Sequence, residues 1–238
     1  YSSGGYAIRS HEILKAQRDA GISTSAITRL GYPVNVGRFP ETAIDTVDDV
    51  PYARALPTVF PLVFPAQVRE HAKWIAREAV ERGASVLHTT TPWPNAAATS
   101  LAAREVGIPW IYEVRGEPES TWAAYQPPNS HPESTAYFRL SRSKEGEAMR
   151  AAAGVVALSE TSATSLRARG IDGPIAVAPN AVAPDWLSKR MPAEQAKQHL
   201  GLDRRRFVGA VSSIVEYEGF DDLIIALHHL PRDVAVLL

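Results

Sequence analysis

The chain has 238 residues, 45% hydrophobic and 21% charged, enough for one large domain and part of a second. Its 25 Lys and Arg against 26 Asp and Glu provide no polycationic face for nucleic acid, and with no cysteine it can form neither disulfides nor thiolate metal sites. No run approaches the roughly 18 to 20 apolar residues of a membrane span, and the cysteine-free composition suits a cytoplasmic protein.

The segment Tyr1-Ser2-Ser3-Gly4-Gly5-Tyr6-Ala7 runs into an amphipathic pattern that predicts a helix over 8–20. A glycine pair lets a ligand approach the backbone closely, and the N–H groups and dipole of the next helix attract phosphate. The plainer reading is a tight turn that touches no ligand. In doubly wound folds a strand precedes such a turn, so a first strand is expected ahead of Tyr1. A short strand over 23–28 follows, then an irregular stretch over 31–65 with prolines at 33, 40, 51, 57, 61 and 65. Connections that long are often lids or binding loops. Its apolar end, LPTVFPLVFP, reads as a core-packing segment in preference to a lid or a patch for a lipid-linked acceptor.

From there Val68, Ala72, Ile75 and Ala79 place one apolar stripe on a helix over 66–82. Strands over 85–89, 109–114, 154–158 and 174–178 alternate with helices over 95–106, 133–153 and 160–169, with a second irregular stretch reaching to about residue 132. Alternation of this kind implies right-handed crossovers and a parallel sheet, Rossmann-like, with helices on both faces. Residues 1–180 form the first domain, 181–192 a proline-flanked linker, and 193–238 the first strand–helix units of a second Rossmann-like domain. The second domain predicts a helix over 193–200, a strand over 206–212, a helix over 220–230 and a strand over 234–238, after which more chain is expected.

Six segments, GGYAIRSHEILKA, VLHTTTPWPNA, GIPWIYEVRG, GVVALSE, IAVAPNAV and FVGAVSSIVEYEGFDDLIIAL, resemble in order the GT-B fold retaining glycosyltransferases of the group-1 (GT4) family. The resemblance implies an acceptor-side N-terminal domain facing a nucleotide-sugar-binding C-terminal domain. It implies transfer of a sugar from a UDP- or GDP-sugar to an acceptor hydroxyl with retention, in glycan, polysaccharide or glycolipid synthesis. The nucleotide-sugar is substrate; no cofactor or metal is implied. The acceptor would be a glycan, a lipid-linked molecule or a small molecule, with peripheral association at the inner membrane face in the lipid case. Gly4 and Gly5, with Arg9 near them, would meet the donor diphosphate across an interdomain cleft.

Arg115 stands where the family often has histidine, and arginine cannot act as a base because its pKa exceeds about 12. It either contacts a phosphate or carboxylate or forms a structural ion pair. Glu113 is expected to point the other way along the pleat, toward the acceptor or as an anchor for Arg115 or the sheet edge. His88 aligns with a frequent family histidine, acceptor-facing or simply hydrogen-bonded. Trp93 and Asn95 are placed in a βα loop, where Trp93 either stacks on a sugar or anchors the loop; Trp122, Tyr125 and His131, in the second irregular stretch, are further acceptor contacts. Ser159 is read as a helix N-cap and Asn180 as a left-handed hinge residue.

In the second domain, Ser212 or Ser213 and Glu218 occupy positions where the family usually presents cations to the diphosphate; Glu216, Glu218 and Gly219 mark this donor-side turn. The family's paired-glutamate motif would fall after Leu238, so this chain alone is not expected to turn over. A non-catalytic GT-B-like module that binds a nucleotide or glycan is the alternative. A nicotinamide-binding Rossmann protein is weaker, since no G-x-G-x-x-G occurs.

Overall fold

The computed structural model describes residues 4–127, 129–182, 187–188, 190–203, 206–212, 214–215 and 218–237. The chain divides into two compact units, one of Tyr1–Ala123 with Pro128–Asn180 and one of Ala124–Pro127 with Ala181–Leu238.

The first unit opens with α1 (Gly5–Asp19), which Gly4 precedes in extended conformation. None of its residues is buried, so the predicted amphipathic face has no deep partner. Strand β1 is only Ala26–Ile27. The stretch expected to be irregular contains a hairpin, β2 (Ile44–Val47) and β3 (Val50–Ala53), and β3 also pairs in parallel with β1 to give the order β1-β3-β2. Its two-residue turn is Asp48-Asp49, both at positive φ. That is the backbone of the tight hairpin turns that match strand twist, a geometry usually announced by glycine or asparagine. Two aspartates hid the signal.

Helix α2 (Phe64–Glu81) buries Ala72, Ile75, Ala76 and Ala79, and packs on α3 (Trp93–Val106) through Ala98 and Ala102. Small residues on both sides bring the two helices close together. Strands β4 (Leu87–Thr90), β5 (Trp110–Glu113), β6 (Gly154–Ala157) and β7 (Ile175–Val177) form a parallel sheet in sequence order. Sequential order with parallel pairing follows from one crossover after another of the same hand.

The second stretch expected to be irregular holds α4 (Pro118–Ala124), so Trp122 lies on a helix. A 3₁₀ turn at Pro132–Ser134 and α5 (Ala136–Ala151) replace one continuous helix, because Thr135 breaks the run and caps α5 by accepting the Phe138 N–H. Helix α6 (Glu160–Ala168) has the expected cap, with Ser159 Oγ accepting the Ser162 N–H at 3.0 Å. Asn180 is not among the residues at positive φ, so the left-handed hinge expected there is corrected: the chain leaves the sheet without such a turn. The main core gathers Trp110, Tyr112 and Val114 of the β5 segment with Met149, Val155, Leu166 and Ile171. Each fully buried aliphatic chain contributes roughly 1.5–3 kcal/mol.

The second unit contains α7 (Ala193–His199), β8 (Arg206–Gly209), α8 (Phe220–Ala226) and β9 (Val234–Leu237), with β8 and β9 paired in parallel. Among the described residues no helix is long and apolar enough to cross a membrane.

Candidate functional site

The carboxyl edge of an open parallel sheet is where loops from several strands converge, and the candidate residues gather at β4 and β5. Glu113 closes β5 and is buried, its side chain only 2% exposed. Arg115, two residues on, is 6% exposed and donates from a terminal nitrogen to Glu113 Oε2 at 2.8 Å. Residues two apart on extended chain share a face, so the expectation that Glu113 points away from Arg115 is corrected. Arg9 of α1 donates to Glu113 Oε1 at 2.7 Å, and His88 Nε2 of β4 lies 3.3 Å from Oε2. Three cationic or donor side chains therefore converge on one buried carboxylate. Burial alone would push that carboxyl up; the hydrogen bonds from His88, Arg115 and Arg9 reverse this and hold it far below the usual carboxylate range.

This cluster also fixes α1. Arg115 donates to Ser10 Oγ at 2.6 Å, and a second contact reaches the Tyr6 carbonyl at 3.4 Å. The Tyr6 hydroxyl lies 3.8 Å from where a Cβ on Gly116 would stand, while among the described residues nothing lies within 4 Å of the corresponding points at Gly4 and Gly5. The first bonds of the helix run from the Ala7 and Ile8 N–H groups to the Gly4 carbonyl, so α1 begins beside β5 with the N–H groups ahead of Ala7 outside that ladder. Buried Arg115 Nε has no hydrogen-bond partner among the described residues.

The acceptor-side candidates are placed differently from expectation. Trp93 and Asn95 lie in the first turn of α3, not in a loop, because Pro92 and Pro94 suit a helix start. Trp93 packs edge-on against Phe64 at 5.3 Å, which favours its role as an anchor, and Asn95 Nδ2 donates to the Thr90 carbonyl at 3.1 Å, closing the β4–α3 turn. Glu113, expected among acceptor contacts, has both oxygens engaged inside the protein. Trp122 lies 4.6 Å from Tyr137, ring to ring, and His131 is exposed at positive φ ahead of the 3₁₀ turn.

Sequence reasoning missed Glu145, Glu119 and Arg169. Glu145 is buried on α5; it accepts the Trp93 N–H at 2.7 Å and the Tyr112 hydroxyl at 2.6 Å, tying α5, α3 and β5 together beneath the β4–α3 turn. Burial pushes its carboxyl up, partly offset by these two donors, and burial beside Glu145 also pushes the Tyr112 hydroxyl up. Glu119 of α4 is buried against Arg169 at 3.4 Å. A lone glutamate in a helix carries no sequence signal of burial.

In the second unit Glu218 donates its backbone N–H to the Val215 carbonyl, and Gly219 at φ +71° precedes α8, whose first turn carries Asp221 and Asp222. Glu216 and Ser213 lie outside the described residues. Among the described residues no group of three His, Asp or Glu could hold a metal ion.

A parallel sheet with helices packed on it and charged side chains gathered at its carboxyl edge is an α/β architecture of GT-B type. The chain belongs to the glycosyl transferase 4-like domain family, whose model matches residues 4–181. Among solved structures it is similar to Alr3699/HepE of Anabaena in complex with UDP-glucose, at 19% identity and a TM-score of 0.65, covering 99% of this chain and 57% of that one. A glycosyltransferase from Rickettsia africae matches at 18% identity and a TM-score of 0.58, covering 95% of this chain and 54% of that one. A sucrose-phosphate synthase segment from Thermosynechococcus elongatus matches at 13% identity and 0.51, covering 82% and 94%. The chain thus spans a little over half the length of the Anabaena and Rickettsia proteins. No curated protein matches it.

Proposed function

We propose that this chain is the acceptor-side part of a retaining glycosyltransferase that uses a UDP- or GDP-sugar. The observation that carries the reading is the gathering of two guanidiniums, Arg9 of α1 and Arg115, on the single buried carboxylate of Glu113 at the carboxyl edge of β5. Family membership and the likeness to an Anabaena protein that binds UDP-glucose support it. Two guanidiniums, Arg9 and Arg115, share the single charge of Glu113, leaving the cluster net positive where a diphosphate would sit. In this reading the bond from the sugar C1 to the diphosphate breaks as the acceptor oxygen bonds to C1 on the same face, and the acceptor proton passes to the departing phosphate. Arg115 and the α1 N–H groups stabilise the negative charge that grows on the leaving group. Glu113 orients both arginines and His88. The acceptor is a glycan, a lipid-linked molecule or a small molecule in glycan, polysaccharide or glycolipid synthesis.

Calorimetric titration of UDP, GDP and their sugars into the full-length protein tests this. Wild-type binding should weaken on the order of tenfold or more in Arg115→Ala. No nucleotide binding by the wild-type protein would sink the reading.

One observation favours a second reading. The turn before α8 carries Glu218 and the first turn of α8 carries Asp221 and Asp222, acids that would repel a diphosphate. A binding module without turnover follows if the nucleotide binds but no UDP- or GDP-sugar is consumed, even in the presence of acceptor.

A further inference from the structure

The apolar run LPTVFPLVFP, expected to pack into the core, lies largely on the surface instead, with Leu62 95% exposed. A second departure from an ordinary polar surface is a concentration of arginine. Between α5 and the end of α6 lies a cleft of about 450 Å³ whose walls carry Arg139, Arg142, Arg150 and Arg169 and no carboxylate. Phe138 and Ala168 supply its apolar lining and Ser143 a hydroxyl. Its size falls within the roughly 300–1,000 Å³ of small-molecule sites. It shares no residue with the cluster of Arg9, Glu113 and Arg115.

Positions 139, 142, 146 and 150 are three or four residues apart and so fall along one face of α5. Three of them carry arginine. Arg139, Arg142 and Arg150 are exposed and form no hydrogen bond or ion pair with another described residue. Arg169 differs: it closes α6, is only 11% exposed, and is held by Glu119 at 3.4 Å and Glu117 at 3.7 Å. Glu147, near Arg150 on the helix, is engaged by Lys144 at 2.6 Å and Ser143 at 3.4 Å. Like charges repeated along one helix face repel one another, so the arginines do not serve the helix itself.

The fourth position, Gly146, shows how the gathering is built. It is buried inside α5 and is not among the glycines at positive φ, so no turn requires it, and within a helix glycine is less favourable than alanine. What lies where its side chain would be is the Arg150 guanidinium, its terminal nitrogens 3.2 and 3.3 Å from the place of a Cβ. The missing side chain lets Arg150 fold back along α5 to the wall of the cleft.

A ligand that joins three guanidiniums must bear more than one negative charge and present several acceptor oxygens. A phosphate monoester carries about −1.5 to −2 at pH 7 with three strong acceptors, and guanidinium forks bind phosphate through paired N–H groups. The balanced total of 25 Lys and Arg against 26 Asp and Glu provides no extended basic track for a polynucleotide. We infer that the cleft between α5 and the end of α6 binds a small phosphate-bearing molecule, a phosphate ester or free pyrophosphate, through Arg139, Arg142 and Arg150. The site is separate from the proposed donor diphosphate, so the transferase reading and this one can fail independently.

Calorimetric titration of pyrophosphate and of glucose 6-phosphate into the full-length protein tests it, at constant ionic strength and with sulfate as the control anion. Arg115→Ala is the background, so that the proposed donor contact does not contribute. One saturable site is expected, and the tighter of the two probes tells free phosphate from phosphate ester. Adding Arg142→Gln with Arg150→Gln should weaken that binding on the order of tenfold or more. The same pair in the presence of Arg115 should leave titration with UDP unchanged. Circular dichroism should show the variants folded, because the substituted groups are at the surface, and the tighter probe should raise the melting temperature of the protein with its arginines but not of the glutamine pair. Absence of saturable binding of both probes overturns the inference, as does binding that the glutamine pair leaves intact. Sulfate that binds as tightly as either probe would reduce the effect to charge alone and overturn it. A poly-glutamate peptide that binds where neither probe does would assign the arginines to an acidic protein partner, and would equally overturn it.

Discussion

Replacing Glu113 by glutamine removes the charge that holds Arg9, Arg115 and His88, and its cost can be worked from the contacts. Glu113 is buried, accepts from two guanidiniums at 2.7 and 2.8 Å, and faces His88 at 3.3 Å. Removing one member of a buried ion pair typically costs about 3–5 kcal/mol, because the partner's charge stays buried without compensation. The glutamine carbonyl can still accept from one arginine, which returns about 1 kcal/mol. Arg9 and His88 are partly solvated, so their share is screened. The expected loss is about 2–4 kcal/mol out of a total of about 5–15. Urea unfolding followed by tryptophan fluorescence at neutral pH reads it directly as a lower midpoint at unchanged slope. The pH dependence supplies an internal control. The native carboxyl sits below its ordinary value of 4.5, so as pH falls past that value the unfolded chain takes up the proton first and stability drops. The contribution is complete above about pH 5 and is lost progressively below it; the glutamine variant, which has no proton to bind there, should lack that part of the decline. A loss under about 1 kcal/mol, or parallel declines in the two proteins on acidification, would refute the hub as an energetic element.

Two further outcomes follow from the same geometry. Gly5→Ala meets no atom within 4 Å and needs no left-handed backbone, so its stability should change by less than about 1 kcal/mol while affinity for UDP or GDP falls; a variant that binds nucleotide as wild type would remove the start of α1 from the site. Glu145→Ala strands the Trp93 N–H and the Tyr112 hydroxyl, and should destabilise by about 2–4 kcal/mol in thermal or urea unfolding, with Tyr112→Phe costing about 1–3 kcal/mol; near-neutral values would show that water replaces the carboxylate.

Strand–helix alternation after residue 83 was legible because period-3.6 stripes and short β-branched runs are local patterns: the observed β5, β6 and β7 fall inside the expected segments, and β4 runs one residue past its own, to Thr90. Glycines past helix ends and serine at a helix start are equally local, as Gly107 in left-handed conformation after α3 and Ser159 before α6 illustrate. The Asp48-Asp49 hairpin was not legible, since its turn type depends on φ values that aspartate adopts only when the flanking strands pair. The Gly-Gly opening and the EVRG segment could be singled out by composition and order, but not that Arg9 and Arg115, 106 residues apart in sequence, share Glu113. Nor could sequence show that Glu145, on a helix of ordinary polar appearance, is buried beneath the start of α3. Sequence determined the alternating strands and helices of the parallel sheet, though not the β2–β3 hairpin or α4, because hydrogen-bonded periodicity is a property of neighbours along the chain. Only the tertiary structure decided which charges meet and which apolar residues stay outside, because burial and pairing depend on what distant segments bring to the same place.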